Sequence, residues 1–319
     1  MAEVAKPSVA GVDRVDDERM TERRSPIAVI GLGAMGLPMA VRLARHHRVF
    51  GFDVSSDRCE LASTEGVDCS PSKEAMADTR VVLCAVRDQA QLESVLLNDA
   101  VESLDDGAIV ILTSTVGPDV ARQASLALAA RSLCLIDAPV SGGPVRAAAG
   151  ELLFMVGAAP EVLDRGRWAL EDLANTIYVA GTKVGDGQTM KVVNQLLCGV
   201  HTAAAAEALS LARALGLDLD NVIEVLGGGA AASFMLADRG PRMARAFRST
   251  PEIRSRLDVI SKDMGIVARV AQTAGVSTPV AAAAEQLYRL GLTHGLSGED
   301  DSTIVRILSP RVGTDTNRR

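Results

Sequence analysis

One lysine lies in a part of the chain where an ionised side chain is costly. Lys191 precedes a stretch, Val192 to Ala205, that contains no charged residue and therefore indicates a buried helix. A buried amine holds its proton less tightly than a free lysine, which titrates at about 10.4, so it can exchange protons at neutral pH. We therefore expect Lys191 to serve a function, rather than to extend from a helix end into solvent.

Two amide side chains share the helical face of this lysine. Asn194 and Gln195 follow Lys191 at the third and fourth positions, so the three side chains lie on one side of a helix. His201 lies two turns beyond Asn194 on nearly the same side, and we interpret it as a histidine of the core. The start of this helix is therefore the part that we expect to carry chemistry.

A glycine-rich segment has the spacing of a dinucleotide-binding loop. The segment Gly31 to Gly36 reads GLGAMG and follows the apolar run Ile27 to Ile30, which predicts a strand. The first glycine permits a tight turn, the second lets the backbone approach a pyrophosphate, and the third lets a helix pack on the sheet. A pyrophosphate then lies at the helix N-terminus, where N–H groups point outward. The expected cofactor contacts are Gly31, Leu32, Gly33, Ala34, Met35 and Gly36.

An acidic residue bears on the choice between the two nicotinamide dinucleotides. Asp53 lies at the end of the next predicted strand, about 20 residues beyond the glycine loop, where a carboxylate accepts hydrogen bonds from ribose hydroxyls. The same carboxylate would repel the 2′-phosphate of NADP, so NAD is the expected cofactor and NADP is less favoured. Arg58 could pair with that phosphate, although we interpret it as a solvated residue at a helix start.

A second turn offers hydrogen-bond donors for an anion. Asp137 to Gly143 reads DAPVSGG and follows the predicted strand Leu133 to Ile136, at the sheet edge where ligands bind. Ser141 supplies a hydroxyl, and Gly142 and Gly143 supply backbone N–H groups without side chains in the way. We expect these three residues to hold a carboxylate; an ordinary turn is the alternative.

Strands and helices alternate through the first half of the chain. The predicted strands are Ile27 to Ile30, Arg48 to Asp53, Val81 to Val86, Ala108 to Thr113, Leu133 to Ile136, Leu152 to Val156 and Thr176 to Val179. Helical patterns separate them, as at Met35 to Arg45 and Pro118 to Ala130. This alternation predicts an α/β fold, a Rossmann doubly wound parallel sheet with helices on both faces.

The pattern becomes helical after the glycine-rich turn Gly181 to Gly187. Amphipathic segments at Leu219 to Leu226, Ile260 to Ala274 and Thr278 to Gly291 predict an all-α second domain. We therefore expect a disordered extension over residues 1–25, a dinucleotide-binding domain over 26–184, an all-helical substrate and dimerisation domain over 185–310, and a loose tail over 311–319.

Composition excludes several kinds of partner. A net charge of −7 disfavours nucleic acids and anionic membrane surfaces, and no apolar run is long enough to span a bilayer. The five cysteines form no CxxC pair and the four histidines no metal-binding motif. We predict reduced thiols, no metal site and a cytoplasmic protein.

Four motifs, taken in order, resemble the β-hydroxyacid dehydrogenase family. This family includes 3-hydroxyisobutyrate dehydrogenase, tartronate semialdehyde reductase and, more distantly, 6-phosphogluconate dehydrogenase. The motifs are GLGAMGLPMA at Gly31 to Ala40, DAPVSGG at Asp137 to Gly143, GDGQTMKVVNQ at Gly185 to Gln195 and KDMG at Lys262 to Gly265. The resemblance implies an NAD-dependent enzyme that transfers a hydride between nicotinamide and a small hydroxyacid. It also implies a homodimer or homotetramer that associates through the second domain.

The resemblance assigns roles to individual residues. Lys191 matches the catalytic lysine, Lys262 matches the lysine that closes over cofactor and substrate, and Thr115 matches a position beside the nicotinamide. The matches to substrate-binding positions are Ser141, Gly142, Gly143 and Asn194. No metal is needed, because the lysine can polarise the carbonyl and supply the proton.

Details of the motifs leave several substrates open. Asn194 and Gln195 stand where the family usually has two asparagines, and this run, with His201 and the ending Glu299 to Ser302, looks most like the L-threonate dehydrogenases. The alternatives are a 3-hydroxyisobutyrate dehydrogenase and a tartronate semialdehyde or glyoxylate reductase. An imine reductase is less favoured because those enzymes usually lack a lysine at position 191. Lys191 and Lys262, with the acidic charge, disfavour a non-catalytic dinucleotide-binding module.

Overall fold

The computed structural model describes residues 26–69, 78–96 and 99–309. The predicted disordered extension over 1–25 and the predicted loose tail over 311–319 lie outside these ranges. The chain divides into two compact units, one up to Lys191 and one from Val192. A single helix, Asp186–Ala214, passes through this division, and the domain boundary expected after residue 184 stays a prediction.

The first unit contains an eight-stranded sheet. Its strands in chain order are β1 (Ile27–Ile30), β2 (Val49–Phe52), β3 (Val81–Cys84), β4 (Ile109–Leu112), β5 (Cys134–Asp137), β6 (Val140–Ser141), β7 (Leu152–Gly157) and β8 (Ala174–Gly181). Their spatial order is β2-β1-β3-β4-β5-β7-β6, with β8 paired to β7. Strands β1 to β5 are parallel, and the order reverses between β1 and β3. Sheets of this kind bind ligands at that reversal.

Alternating side chains build an apolar core on each face of the sheet. Ile27 and Val29 of β1 belong to one core cluster, and Ala28 and Ile30 belong to the other. Among the described residues of this unit, the helices are α1 (Gly36–Leu43), α2 (Ser56–Thr64), α3 (Gln89–Leu96), α4 (Asp99–Glu102), α5 (Pro118–Ala129), α6 (Gly143–Ala149) and α7 (Pro160–Glu171). The predicted Rossmann-type α/β architecture is confirmed.

One edge of the sheet departs from the all-parallel prediction. Strand β7 runs antiparallel to β5 and β6, whereas β8 is parallel to β7. The reversal follows helix α6, which ends at Gly150 with a left-handed φ of +74°. A glycine in this conformation lets the chain turn back after a helix. The predicted segments also do not include helix α7.

The second unit is helical. Helix α8 (Asp186–Ala214) continues into it from the first unit, and the elements that follow are α9 (Leu219–Gly227), α10 (Phe234–Ala246), α11 (Leu257–Thr273), α12 (Pro279–Thr293), a 3₁₀ helix (Asp301–Ile304) and α13 (Val305–Leu308). Leu209, Met243 and Tyr288 lie in its buried core. The predicted all-α second part is confirmed. Among the helices that the structure describes, none is long and apolar enough to cross a membrane.

The sequence of helix α8 predicts a helix that is buried on every side. In the single chain, however, one side of this helix is exposed. Val193, Leu197 and Leu211 are 56%, 49% and 61% exposed, and Ala204 and Ala208 between them are exposed as well. These positions recur at intervals of three, four or seven residues, so they form one stripe along the helix. Within the single chain, one face of α8 packs into the core and the opposite face presents apolar side chains.

Candidate active site

The glycine loop lies at the carboxyl end of β1, beside the end of β3. Gly31 has a φ of +92°, which a residue with a side chain rarely adopts, and its N–H donates to the carbonyl of Phe52 over 2.8 Å. A Cβ at this position would lie 2.6 Å from the carbonyl oxygen of Ala85, directly after β3. The first glycine therefore lets the loop turn at the point where the strand order reverses.

The other two glycines of the loop differ in what surrounds them. A Cβ on Gly36 would overlap the carbonyl of Gly31, so this position needs a hydrogen for the helix to pack against the loop. A Cβ on Gly33 would meet nothing within 4 Å. Gly33 thus presents a bare backbone surface to open space, next to the first turn of helix α1. These residues fit a dinucleotide, whose pyrophosphate needs such a close approach to a helix N-terminus.

Asp53 is tied to the same loop. One carboxylate oxygen accepts the N–H of Leu32 over 2.7 Å, and the other accepts the N–H of Ser55 over 2.9 Å. A carboxylate has about four acceptor positions, so two remain for ribose hydroxyls. Leu32 itself is buried and its N–H is already used, so it supports the loop from within. Arg58 is exposed in the first turn of α2.

A fully buried pair, Asp137 and Gln188, joins the end of β5 to the start of α8. One oxygen of Asp137 accepts the backbone N–H groups of Gly185 and Gln188, and the other accepts the side-chain amide of Gln188, each over 2.9 Å. Burial raises the pKa of Asp137 to about 6, although these N–H bonds pull it down. The pair therefore fixes the first turn of the helix that carries Lys191.

The same glutamine side chain also holds the turn after β4. Its Oε1 accepts the N–H groups of Val116 and Gly117 over 3.1 Å each, and its Nε2 donates to the carbonyl of Ser114 over 3.0 Å. Thr115 lies between these bonded positions. Lys191, 6% exposed, follows Gln188 by three residues, or nearly one helical turn. Gln188 thus connects the backbone around Thr115 with the helical turn of Lys191.

Ser141, Gly142 and Gly143 lie where β6 passes into helix α6. Ser141 pairs with Leu153 of the neighbouring strand β7. Gly142 and Gly143 have φ values of +140° and +76°, and a Cβ on Gly143 would meet nothing within 4 Å. Both positions favour glycine for their backbone conformation, and the second has open space where a side chain would stand.

In the second unit, Asn194 and Lys262 belong to one chain of polar contacts. The amide of Asn194 donates to Gln195 Oε1 over 2.9 Å, and Gln195 Nε2 donates to Asp263 Oδ2 over 2.5 Å. Lys262 Nζ lies 2.9 Å from the other oxygen of Asp263.

His201 is exposed, so its interpretation as a core histidine is wrong.

Comparison with known proteins places the chain in a family. Residues 26–181 match the model for the NAD binding domain of 6-phosphogluconate dehydrogenase, and residues 185–308 match that for the NAD-binding of NADP-dependent 3-hydroxyisobutyrate dehydrogenase. The L-threonate dehydrogenase of Cupriavidus necator is 37% identical over 291 residues, which is 88% of this chain and 95% of that protein. The chain belongs to the β-hydroxyacid dehydrogenase family.

Other members of the β-hydroxyacid dehydrogenase family agree with this assignment. The L-threonate dehydrogenase of Escherichia coli (strain K12) is 32% identical over 89% of this chain and 94% of its own. The crystal structure of 3-hydroxyisobutyrate dehydrogenase from Salmonella typhimurium is 32% identical and superimposes with a TM-score of 0.82, over 89% of this chain and 99% of that one. The chain is accordingly an oxidoreductase with an NAD-binding domain, and its reaction class is that of a hydroxyacid dehydrogenase.

The family motifs contain polar residues that sequence reasoning did not single out. Gln188 stands inside GDGQTMK and Asp263 inside KDMG, yet neither was expected to contribute to a site. Both could have been identified from the sequence as polar residues next to a buried helix or inside a glycine-containing motif. Among the described residues, no group of three His, Cys, Asp or Glu side chains could hold a metal ion. The roles of Lys191 and of the binding residues stay predictions.

Proposed function

We propose that this member of the β-hydroxyacid dehydrogenase family oxidises a small polyhydroxylated acid, with L-threonate as the leading candidate, and that Lys191 is its general acid and base. The observation that carries the proposal is the position of Lys191, which is 6% exposed and follows the buried residue Gln188 by three positions. Gln188 makes buried hydrogen bonds to Asp137 and to the turn around Thr115, and these bonds fix the helical turn that precedes Lys191.

Most of the residues that bind the cofactor in this proposal belong to the first unit. Bound NAD supplies a nicotinamide ring that accepts a hydride from the substrate carbon or returns one to it. The residues that would hold NAD are Gly31, Leu32, Gly33, Ala34, Met35, Gly36, Asp53 and Thr115, with Lys262 closing over it. Asp53 keeps acceptor positions for the ribose hydroxyls, and this favours NAD over NADP.

The proton follows a separate route from the hydride. In oxidation, the neutral amine of Lys191 takes the hydroxyl proton of the substrate as the C–H bond breaks. In reduction, the ammonium form donates that proton to the carbonyl oxygen. General acid–base catalysis of this kind contributes about 100-fold to 10,000-fold to a rate.

The carboxylate of the substrate needs fixed donors. Ser141 supplies a hydroxyl, and Gly142 and Gly143 supply N–H groups from a backbone that their positive φ values hold open. Charge-assisted hydrogen bonds to such donors are stronger than neutral ones. Asn194 would contact a hydroxyl further along the acid. A substrate with both a carboxylate and several hydroxyls suits this set better than the branched apolar 3-hydroxyisobutyrate.

Two named relatives, at 37% and 32% identity, are L-threonate dehydrogenases, which supports the four-carbon sugar acid. The 3-hydroxyisobutyrate dehydrogenase of known structure keeps that acid, together with tartronate semialdehyde and glyoxylate, as the second choice. Lys191 disfavours an imine reductase.

We also propose a cytoplasmic homo-oligomer, a dimer or a tetramer. The exposed apolar stripe of α8, which includes Val193, Leu197 and Leu211, would be covered by the same surface of a second copy. The substrate and dimerisation domain would extend over 185–310 and the dinucleotide-binding domain over 26–184. Among the described residues, no cysteine forms a disulfide, as expected in a reducing compartment; the five are Cys59, Cys69, Cys84, Cys134 and Cys198.

A panel of acids tests the proposal. L-Threonate, D-threonate, 3-hydroxyisobutyrate, L-serine and glycerate are assayed with NAD, and tartronate semialdehyde and glyoxylate with NADH. The expected result is the highest kcat/KM with L-threonate. If 3-hydroxyisobutyrate gave the higher value, the choice of substrate would be wrong but the reaction class would stand. Absence of turnover with every acid would contradict the reaction itself.

A further inference from the structure

A chain of four polar side chains in the second unit has a direction that its chemistry imposes. Its members in order are Asn194, Gln195, Asp263 and Lys262. The first two lie on helix α8 and the last two on helix α11. The two ends are residues to which we assign substrate and cofactor contacts, while the two middle residues have no assigned role.

The carboxylate determines which way each amide faces. An ionised carboxylate only accepts hydrogen bonds, so Gln195 must direct its Nε2 toward Asp263, at 2.5 Å. The amide oxygen of Gln195 is then left to accept, and Asn194 must supply its Nδ2, at 2.9 Å. That same Nδ2 also lies 3.3 Å from the sulfur of Cys198. Both hydrogens of the Asn194 amide are thereby directed into the protein.

The atom that remains on Asn194 is its carbonyl oxygen. Among the hydrogen bonds of the described residues, none involves this Oδ1. A carbonyl oxygen accepts from a hydroxyl and offers nothing to a group that only accepts. Had Gln195 faced the other way, Asn194 would present N–H donors instead, and would favour a carboxylate or a carbonyl. The direction of the chain therefore sets the type of substrate group that Asn194 can bind.

We propose that Asp263, acting through Gln195, is a positioning residue that holds the Asn194 amide as a hydrogen-bond acceptor for a substrate hydroxyl. The proposal rests on the proposed function, since it needs a hydroxylated substrate beside Asn194. Asp263 is 4% exposed and pairs with Lys262 through its second oxygen. Its charge is thus kept in place from both sides.

The length of the Gln195 side chain is needed for this orientation of the Asn194 amide. Glutamine has one more methylene group than asparagine, and its amide reaches the carboxylate of Asp263 on the neighbouring helix. An asparagine at this position would stop short of that carboxylate. A buried carboxylate without its donor is costly, and an amide without its acceptor can turn over. We therefore expect Gln195→Asn to free the Asn194 amide to face either way.

Substrate analogues provide the test. Each hydroxyl of the best acid, other than the reacting one, is replaced in turn by fluorine, which cannot donate a hydrogen bond. Wild-type enzyme should lose about tenfold or more in kcat/KM with one of these analogues, the scale of one hydrogen bond. In Gln195→Leu and Asp263→Leu, which remove the amide and its acceptor, this discrimination should fall to about threefold or less, mainly through KM. Gln89→Leu removes an exposed amide that bonds Glu93, and should keep the wild-type discrimination.

Binding provides a readout that does not depend on turnover. The dissociation constants of the acid and of its fluorinated analogue are measured by calorimetry in the presence of NADH, for the wild type, Gln195→Asn and Gln89→Leu. The proposal predicts that the tenfold ratio of the two constants is lost only in Gln195→Asn. It is overturned if Gln195→Asn keeps the wild-type ratio while the wild type oxidises the acid. If no acid is oxidised at all, the proposed function falls, and this proposal falls with it.

Discussion

The carboxylate of Asp137 accepts both the backbone N–H and the side-chain amide of Gln188, each over 2.9 Å. The two residues are 51 positions apart and entirely buried. Because a carboxylate cannot donate, Gln188 must present its Nε2 to Asp137 and its Oε1 to the N–H groups of Val116 and Gly117. One buried charge thus orients the amide that supports both the turn around Thr115 and the helical turn of Lys191.

Gln188→Leu should destabilise the protein strongly. Leucine has nearly the same shape as glutamine, but it leaves two backbone N–H groups, the carbonyl oxygen of Ser114 and one carboxylate oxygen of Asp137 without their partner. Each buried group left unsatisfied costs about 1–3 kcal/mol, so the free energy of unfolding should fall by about 3 kcal/mol or more. Urea denaturation measures it. Gln89→Leu removes an exposed glutamine–glutamate bond and should cost less than about 1 kcal/mol. Equal stability of the two variants would contradict the role of the buried pair.

Asp137 should make stability depend on pH in a direction that is unusual for an aspartate. Burial raises the pKa of Asp137 to about 6 from an ordinary value of 3.8, so the native state binds this proton more tightly than the unfolded state. The stabilisation that protonated Asp137 gives to the native state is therefore present in full below pH 3.8 and is lost as the pH rises through about 6. Asp137→Asn removes this titration. The difference in unfolding free energy, wild type minus variant, should decrease as the pH rises from 3.8 to about 6. A difference that stayed constant or increased over this range would contradict the raised pKa.

Gly33→Ala and Gly36→Ala should separate cofactor binding from folding. A Cβ at position 33 meets nothing within 4 Å, so Gly33→Ala should keep Tm within about 2 °C while raising the Kd for NADH about tenfold or more. A Cβ at position 36 overlaps the carbonyl of Gly31, so Gly36→Ala should lower Tm as well. Thermal melting and fluorescence titration with NADH give both quantities. Unchanged NADH affinity in Gly33→Ala would mean that the pyrophosphate lies elsewhere.

Asp53→Asn should narrow the preference for NAD. The amide keeps an oxygen that can accept the N–H of Leu32, now at 2.7 Å, but loses the charge that repels a 2′-phosphate. The ratio of kcat/KM with NAD to that with NADP should fall about tenfold, the scale of one charge-assisted bond. Asp53→Ala should do the same and weaken both cofactors, because the loop loses its acceptor. A wild-type preference for NADP would contradict the assignment and favour a role for Arg58.

The sequence predicts best what depends on spacing along the chain. The apolar run Ile27 to Ile30, ended by Gly31, predicts β1 correctly. The spacing from the glycine loop also identifies Asp53, whose carboxylate accepts a hydrogen bond from that loop. Helix α10 escapes prediction because Gly240 and Pro241 usually mark a break and its buried Arg242 obscures the apolar face. Arg242 is compensated by Asp300, 58 positions away, which no local pattern reveals.

The support of the candidate site was harder to predict for the same reason. Lys191 stands out as a charge beside an uncharged helix, whereas Gln188 gains its importance only from contacts with residues more than 50 positions earlier. The exposed stripe of α8 illustrates another limit. An apolar periodicity predicts which residues avoid water, but not whether their partner is in the same chain. The face carrying Val193 and Leu197 was therefore predicted as part of the core.

Replacement of Lys191 tests the central claim most directly. Lys191→Ala is compared with Lys183→Ala, which removes an exposed lysine of the same unit, in steady-state turnover of the best acid and in NADH binding. We predict that Lys191→Ala lowers kcat by about 100-fold or more and changes the Kd for NADH by less than about threefold, while Lys183→Ala leaves both near wild type. If Lys191→Ala kept more than about a tenth of the wild-type kcat, Lys191 would not be the acid and base of this enzyme.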